Sequence, residues 1–556
     1  MARSYGWPGA EGGYVAHSAT HGAGHKSTAH SPKPGARFER EQSLREVFIF
    51  FAVLLGGLAY VAWSIWSDIQ RADVGVLTFA PFLLLFLALL IALGFEFVNG
   101  FHDTANAVAT VIYTNSLPAH FAVVWSGCWN FIGVLVSSGA VAFGIISLLP
   151  VELILNVGSS AGMAMVFSLL VAAILWNLGT WYLGLPASSS HTLIGSIIGV
   201  GLANQLMHTA DGTAGVDWGQ AANVGYSLLL SPVVGFVAAG LLLVTMKVLV
   251  KNPALYRAPK ENHAPPWWIR GLLVVTCTGV SFAHGSNDGQ KGMGLIMLIL
   301  IGIVPTAYAL NRAVDPADVA QFRALAQATQ VSLLASQPGA APVADPRAVL
   351  TTFVGDRKVQ PDTVPALAAV AGEIAQLVAT HNSLSQVPAA AVPNMRNDMY
   401  LASETIAIMQ RMQAPSFDAQ TTQNLIAFKR SLDEATKFIP LWVKVAVAIA
   451  LGLGTMVGWK RIVVTVGEKI GKSHLTYAQG GAAELVAMGT ILAADHYGLP
   501  VSTTHVLSSG VAGTMAANHS GLQWSTVRNL AMAWVLTLPA AIVLAGGIYV
   551  LLLQIF

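Results

Sequence analysis

Charge is scarce in this chain. Asp, Glu, Lys and Arg make up only 10% of its 556 residues, against about 25% in an ordinary soluble domain. Over half of the residues, 54%, are hydrophobic, and several apolar runs reach about 18 residues or more. That composition excludes a soluble globular domain and fits an all-α polytopic membrane protein. Cysteine is also nearly missing. Cys128 and Cys277 both lie inside apolar segments, so no disulfide framework or thiolate metal site follows, and both read as small buried apolar residues. No apolar run follows Met1, so no secretory signal peptide is expected there. A net charge of +2 makes no case for a nucleic-acid partner; lipid is the expected surround.

Residues 1–45 are rich in Gly, Ser, His and Pro without apolar periodicity, and are expected to be a disordered tail. His17, His21, His25 and His30 there read as solvated rather than as a metal site. Apolar segments follow at about 47–66, 78–112, 120–148, 163–185, 190–206, 222–246, 271–306, 439–458, 476–497, 501–517 and 525–555. The long ones at 78–112 and 271–306 are open to reading as two pieces each. Hydropathy does not separate full crossings from re-entrant hairpins at 163–206 and 476–517. Residues 311–437 break the pattern: they are polar, rich in Ala, Gln and Asp, with helical spacing at 316–336 and 417–436.

Loop charges set the orientation. Lys247, Lys251, Arg257, Lys260 and Arg270 stand against Glu261 in one loop; Lys460, Arg461, Lys469 and Lys472 stand against Glu468 in another. Both loops should be cytoplasmic. The loop at 207–221, with Asp211 and Asp217 and no Lys or Arg, should lie outside. Alternation then puts the N-terminus inside, and 149–162, the polar block and the C-terminus outside. The expected domains are the tail 1–45, an extra helix and loop at 46–76, a first repeat at 77–250, a basic loop at 251–270, a second repeat at 271–310 and 438–556, and a helical extramembranous insert at 311–437.

The repeats rest on arithmetic. Gly100-Phe101-His102-Asp103 aligns with Gly285-Ser286-Asn287-Asp288, an offset of 285 − 100 = 185. GLPASSSHTLIGSIIG from Gly184 aligns with GLPVSTTHVLSSGVAG from Gly498, an offset of 498 − 184 = 314. The difference, 314 − 185 = 129, is close to the length of the insert, so the insert sits inside the second copy. The loop charges make the two Asp segments cross in opposite directions. The expected architecture is therefore an inverted-topology repeat of about five segments each, with broken helices or re-entrant hairpins.

The four motifs carry the chemistry. In each GLP motif, Gly and Pro break a helix and hydroxyl residues stand where the next begins, the favoured capping type. A helix start offers free N–H groups to an anion. Ser188, Ser189 and Ser190 from one side, and Ser502, Thr503 and Thr504 from the other, make a cradle for a tetrahedral oxyanion; the bland alternative is that they cap two kinked helices. Asp103 and Asp288 at membrane depth must be protonated, paired or bound to a cation. Beside an anion they repel it unless positive charge travels too, which predicts coupling through protons, Na⁺ or a metal–phosphate complex. Asn106, Asn287 and Gln290 are candidate ligands. Glu96, His102, His191, Lys291 and His505 are coupling candidates, Lys291 reading equally as a plain ion pair with an acid. Asn130, Asn177, Glu484 and Asp495 receive no role. No Arg cluster is present, which suits a site that must release its load.

At these residues the chain resembles the inorganic phosphate transporter (Pit) family, in particular bacterial low-affinity phosphate permeases. GFHDTANA at 100–107 and, more loosely, GSNDGQKG at 285–292 match the duplicated family signature. WNLGTWYLGLPASSSHTLIG, MVGWKRIVVTVGEKIGK and GLPVSTTHVLSSGVAGTM resemble the same family, and the similarity runs from about residue 80 to the end except much of the insert. The resemblance implies a non-enzymatic symporter in a bacterial inner (cytoplasmic) membrane. It implies proton-coupled phosphate import as a neutral complex with a divalent metal such as Mg²⁺, Ca²⁺ or Zn²⁺, and no permanently bound cofactor. It implies ligands at Asp103, Ser188, Ser190, Asp288, Ser502 and Thr504, with Asp103 and Asp288 reaching any metal through the substrate. His102, Gln290 and Lys291 depart from the family pattern. A sodium-coupled symporter or a sulfate permease of the same fold is the alternative, and a homo-oligomer is left open. A membrane enzyme or sensor centred on the insert is a third reading, though the insert shows no catalytic constellation.

Overall fold

The computed structural model describes residues 43–72, 79–207, 215–260, 263–381 and 383–556; for 79–80 and 104–106 it describes the backbone alone. Asn106 as a side chain, Asp211, Glu261 and the four tail histidines lie outside that description. Among the described residues the chain is helical, with one isolated bridge between Gly471 and Leu522. In order the helices are α1 (Leu44–Arg71), α2 (Phe79–Tyr113), α3 (Ala119–Val136), α4 (Ala140–Ile146), α5 (Val151–Leu155), α6 (Ser160–Tyr182), α7 (Ser189–Met207), α8 (Trp218–Leu249), α9 (Trp267–Ile303) and α10 (Pro305–Tyr308). The insert contributes α11 (Pro316–Ser336), α12 (Pro346–Asp356), α13 (Thr363–Thr380), α14 (Val392–Met412) and α15 (Ala419–Thr436). The remainder is α16 (Leu441–Thr455), α17 (Lys460–Val464), α18 (Tyr477–His496), α19 (Thr503–Ala517) and α20 (Trp524–Leu552).

Among the described residues, seven helices are long and apolar enough to cross a membrane: α1, α2, α3, α6, α8, α13 and α20. One of them, α13, belongs to the insert, where it is the largely buried centre against α11, α12 and α14. The apolar segments at 190–206, 271–306, 476–497 and 501–517 do not appear among the seven. Helices α7, α9 and α19 carry the Ser, His, Gly and Asp residues of the motifs, and those residues are buried against other helices. The segment at 120–148 is two helices, α3 and α4, divided at Gly139 with φ +88°. The first helix begins at Leu44, inside the expected tail, because Ser43 and Glu46 form a reciprocal capping box there.

The Asp segments correct a sequence expectation. Neither is broken: α2 and α9 run without interruption through Asp103 and Asp288. Their glycines serve close packing instead. A Cβ at Gly100 would lie 2.2 Å from the Leu451 carbonyl oxygen of α16, and one at Gly285 would lie 2.2 Å from the Asn130 carbonyl of α3. These two glycines occupy matched positions and do the same job. Gly199 and Gly513, again 513 − 199 = 314 apart, seat α7 on Ile542 of α20 and α19 on Phe236 of α8. Each half thus packs reciprocally on the other: α7 on α20 and α19 on α8, α2 on α16 and α9 on α3. The breaks fall at the GLP turns, where Gly184 and Gly498 take φ of +66° and +65°, a region open to glycine at little cost.

The two ends of the bundle differ. At one end Tyr113 donates to Glu468 (2.8 Å), Asn115 to the Lys260 carbonyl (3.3 Å) and Arg270 to the Ser116 carbonyl (2.8 Å), so both basic loops meet the turn between α2 and α3. At the other, Arg396 and Asn397 of the insert donate to the carbonyls of Ile154 (3.0 Å) and Leu155 (3.1 Å), Arg357 pairs with Asp217, and Ser160 donates to the carbonyl of Phe556. The α6–α7 hairpin opens toward the insert and the α18–α19 hairpin toward the basic loops. Substituting Gly100→Ala should lower the melting temperature of the detergent-solubilised protein, an overpacking cost of about 1–3 kcal/mol. Gly94→Ala on the same helix meets nothing within 4 Å and should be neutral or slightly stabilising. Equal melting of the two variants would show that the contact relaxes freely.

Candidate functional site

The tips of the two hairpins meet deep in the protein. Ser188 caps α7 by accepting the His191 N–H (3.2 Å), and Ser502 caps α19 by accepting the His505 N–H (3.1 Å). Each tip is held by a long helix of the opposite half: Trp534 of α20 donates to the Pro186 carbonyl (3.0 Å), and Ser227 of α8 donates to the Pro500 carbonyl (3.1 Å). The tips also touch directly, Ser190 Oγ donating to the Val501 carbonyl at 2.7 Å.

Asp103 lies where the tips converge. Ser189 Oγ donates to its Oδ2 at 2.6 Å, and Thr504 Oγ1 donates to its Oδ1. His102 Nδ1 stands 3.3 Å from Oδ1, while its Nε2 contacts Thr180 Oγ1 at 3.2 Å. The hydroxyls donate to the acid, because a carboxylate asks for the same donors as any oxyanion.

The second acid is paired. On α9, His284, Asp288 and Lys291 follow at i, i+4 and i+7 and share a face. Lys291 Nζ lies 2.7 Å from Asp288 Oδ1 and donates to Ser190 Oγ at 2.6 Å, with both ion-pair side chains fully buried. A buried pair of this kind costs much desolvation and is strongly destabilised when one partner goes. His284 Nε2 is 3.4 Å from Asp288 Oδ2, and one ligand atom each from Asp103, His284 and Asp288 falls within 4.8 Å of the others. His284 escaped the sequence reading, although its spacing of four from Asp288 within SFAHGSND was a readable signal.

Other candidates sit outside this centre. Asn287 donates to the Leu499 carbonyl (3.1 Å) and so holds the second tip's backbone. The Thr503 hydroxyl is buried without a hydrogen-bond partner. His191 and His505 stack at 4.5 Å between ring centroids, with Trp534 at 4.3 Å from His505, behind the tips. Glu96, two turns before Asp103, is buried beside Gly292 and receives Asn99 Nδ2 at 3.5 Å. The unassigned residues find places too. Asp495 accepts from Ser286 (2.7 Å) and Gln290 (2.6 Å), Asn177 accepts from Thr192 (3.0 Å), and Glu484 accepts from Thr276.

Two opposed hairpins closing on buried acids, inside a bundle of membrane-length helices, define a multi-pass membrane transporter. The sequence profile of the phosphate transporter family matches residues 99–545, and the chain belongs to that family. It is 43% identical over 489 residues to the low-affinity inorganic phosphate transporter PitA of Escherichia coli K12, covering 85% of this chain and 97% of that one. It is 42% identical over 495 residues to PitB of the same organism, with the same coverage. A probable low-affinity inorganic phosphate transporter of Bacillus subtilis is 27% identical over 478 residues, covering 85% of this chain and 99% of its own.

The caps generate a test. Ser188→Ala should destabilise the protein by about 0.5–2 kcal/mol, and Ser188→Asn, which caps as well, should restore the melting temperature. Failure of the Asn variant to restore it would remove the capping role.

Proposed function

We propose that this chain is a secondary active symporter that imports inorganic phosphate across the inner membrane of a bacterium, driven by protons. The observation that carries the reading is Asp103 receiving hydroxyls from both hairpin tips, Ser189 and Thr504. An incoming hydrogen phosphate competes with that carboxylate for the same donors. A proton or a cation taken up by the Asp103 carboxylate frees both hydroxyls for phosphate, so positive charge and anion arrive together. Asp288 with Lys291 supplies a neutral partner on the other side, and Ser190, Ser188, Ser502, Thr503 and Asn287 form or support the surrounding shell. Lys291 already neutralises Asp288, so Asp288 needs no Na⁺ as counter-ion, which favours protons over sodium as the driving ion. A hydrogen phosphate can also donate its own O–H to a carboxylate; sulfate cannot, which favours phosphate over sulfate.

The hairpins open to opposite ends, and the matched offsets of glycines, prolines and tips support an inverted-topology repeat. Loosening one tip from Asp103 at a time gives access from one face at a time. The cargo is read as a neutral complex of hydrogen phosphate with a divalent metal such as Mg²⁺, Ca²⁺ or Zn²⁺, which leaves the charge of the site unchanged.

Phosphate uptake into proteoliposomes should collapse with a protonophore and be indifferent to an imposed Na⁺ gradient; the opposite pattern would overturn proton coupling. Excess sulfate should not compete. Asp103→Asn should reduce uptake to background with the protein still folded. Asp288→Asn strands the Lys291 charge at a cost of about 3–5 kcal/mol, so its stability should recover, without transport, when combined with Lys291→Met. Full uptake in Asp103→Asn would refute the site.

A further inference from the structure

We propose that His284 is a ligand, through Nε2, for a divalent cation that enters with phosphate, completing a set with Asp103 and Asp288. This rests on the symport reading above, but its argument is local.

The tautomer of His284 is set by a chain of hydrogen bonds. Thr455 Oγ1 donates to the Leu451 carbonyl (2.9 Å), so it accepts from Asn130 Nδ2 (3.3 Å). That orientation turns Asn130 Oδ1 toward His284 Nδ1 at 3.0 Å. An amide oxygen only accepts, so Nδ1 carries a proton, and Nε2 is the ring nitrogen left to offer a lone pair. Nε2 is buried, makes no hydrogen bond, and points at Asp288 Oδ2 only 3.4 Å away. A lone pair facing a carboxylate repels it unless something positive lies between. An oxygen acceptor locking one ring nitrogen while the other faces carboxylates is the arrangement that orients histidine for a metal.

The rest of the set agrees. His284, Asp103 and Asp288 are 2%, 3% and 0% exposed, and their ligand atoms lie within 4.8 Å of one another. The Lys291 ammonium sits against Asp288 Oδ1, the oxygen other than the one His284 faces. Asp103, Asp288 and Lys291 together hold one negative charge, enough to attract a cation without trapping it. One nitrogen and two carboxylate oxygens, with phosphate oxygens filling the shell, favour Mn²⁺, Co²⁺ or Zn²⁺ over the all-oxygen preference of Mg²⁺ and Ca²⁺. His284 thereby sets which metal travels.

The test uses the full-length protein with Mn²⁺ and inorganic phosphate. His284→Asn keeps an amide donor near the Nδ1 position for Asn130 and deletes Nε2. It should weaken Mn²⁺ binding by at least about 10- to 100-fold, the range seen when even a supporting group is lost, and weaken Mg²⁺ binding much less. Pulsed EPR of the Mn²⁺-loaded wild type should show coupling to a ¹⁴N nucleus, which decides the matter even if the variant does not fold. Unchanged Mn²⁺ affinity in His284→Asn, or no nitrogen coupling in the wild type, overturns the proposal and leaves a proton as the bridge between Nε2 and Asp288. Phosphate uptake measured in parallel separates the outcomes: uptake without a nitrogen ligand sinks the metal role alone, whereas no uptake sinks the symport reading while the Mn²⁺ data still judge the site.

Discussion

A single carboxylate ties the two hairpins together. Asp103 accepts Ser189 from one tip and Thr504 from the other, so the tips are held to each other through a group that is itself an anion. In a dry interior those hydrogen bonds are strong, and leaving them unmade is costly. The tips can part from Asp103 only when something equally rich in oxygen takes its place or when the acid gains a proton. Closure of the protein and occupancy of its centre are therefore the same question. The Pro186 and Pro500 carbonyls, held from the opposite half by Trp534 and Ser227, keep both tips aimed at that point.

Lys291 imposes a second constraint. It is fully buried, bound to Asp288 on its own helix and to Ser190 on the first tip. Its ammonium links α9 to α7, so any movement of the first hairpin is felt by the second acid. The acids are thus not equivalent despite their matched positions. Asp103 answers to both tips, and Asp288 to a cation and a histidine. The residues beside each acid thus give the two acids different surroundings.

Much of this was legible in the residues. The offsets of 185 and 314 pointed to a repeat with an insert in its second copy, and the GLP turns marked the breaks because Gly followed shortly by Pro has few other uses in an apolar run. The helical spacing at 316–336 and 417–436 matches α11 and α15 closely. Gly100 and Gly285 misled, since a glycine beside an acid reads as a break, while here it admits a neighbouring backbone. That distinction depends on what lies across the helix, which no local pattern records. The same holds for Ser189 and Thr504: their types announced an oxyanion site, but not that Asp103 would be its occupant. His284 was passed over although its spacing from Asp288 was readable; its contact with Asn130, 154 residues earlier, is what no local pattern records.

The reciprocal packing of α7 on α20 has a consequence for how the chain is made. Between the end of α7 at residue 207 and the end of α20 at residue 552 lie 552 − 207 = 345 residues, which takes a ribosome roughly 20–70 s at about 5–20 residues per second. For that interval the first hairpin, with its serines and histidine, has been made while the helix that will cover it does not yet exist. Synthesis of this protein must include a waiting period in which a polar hairpin is sheltered by something other than its final neighbour.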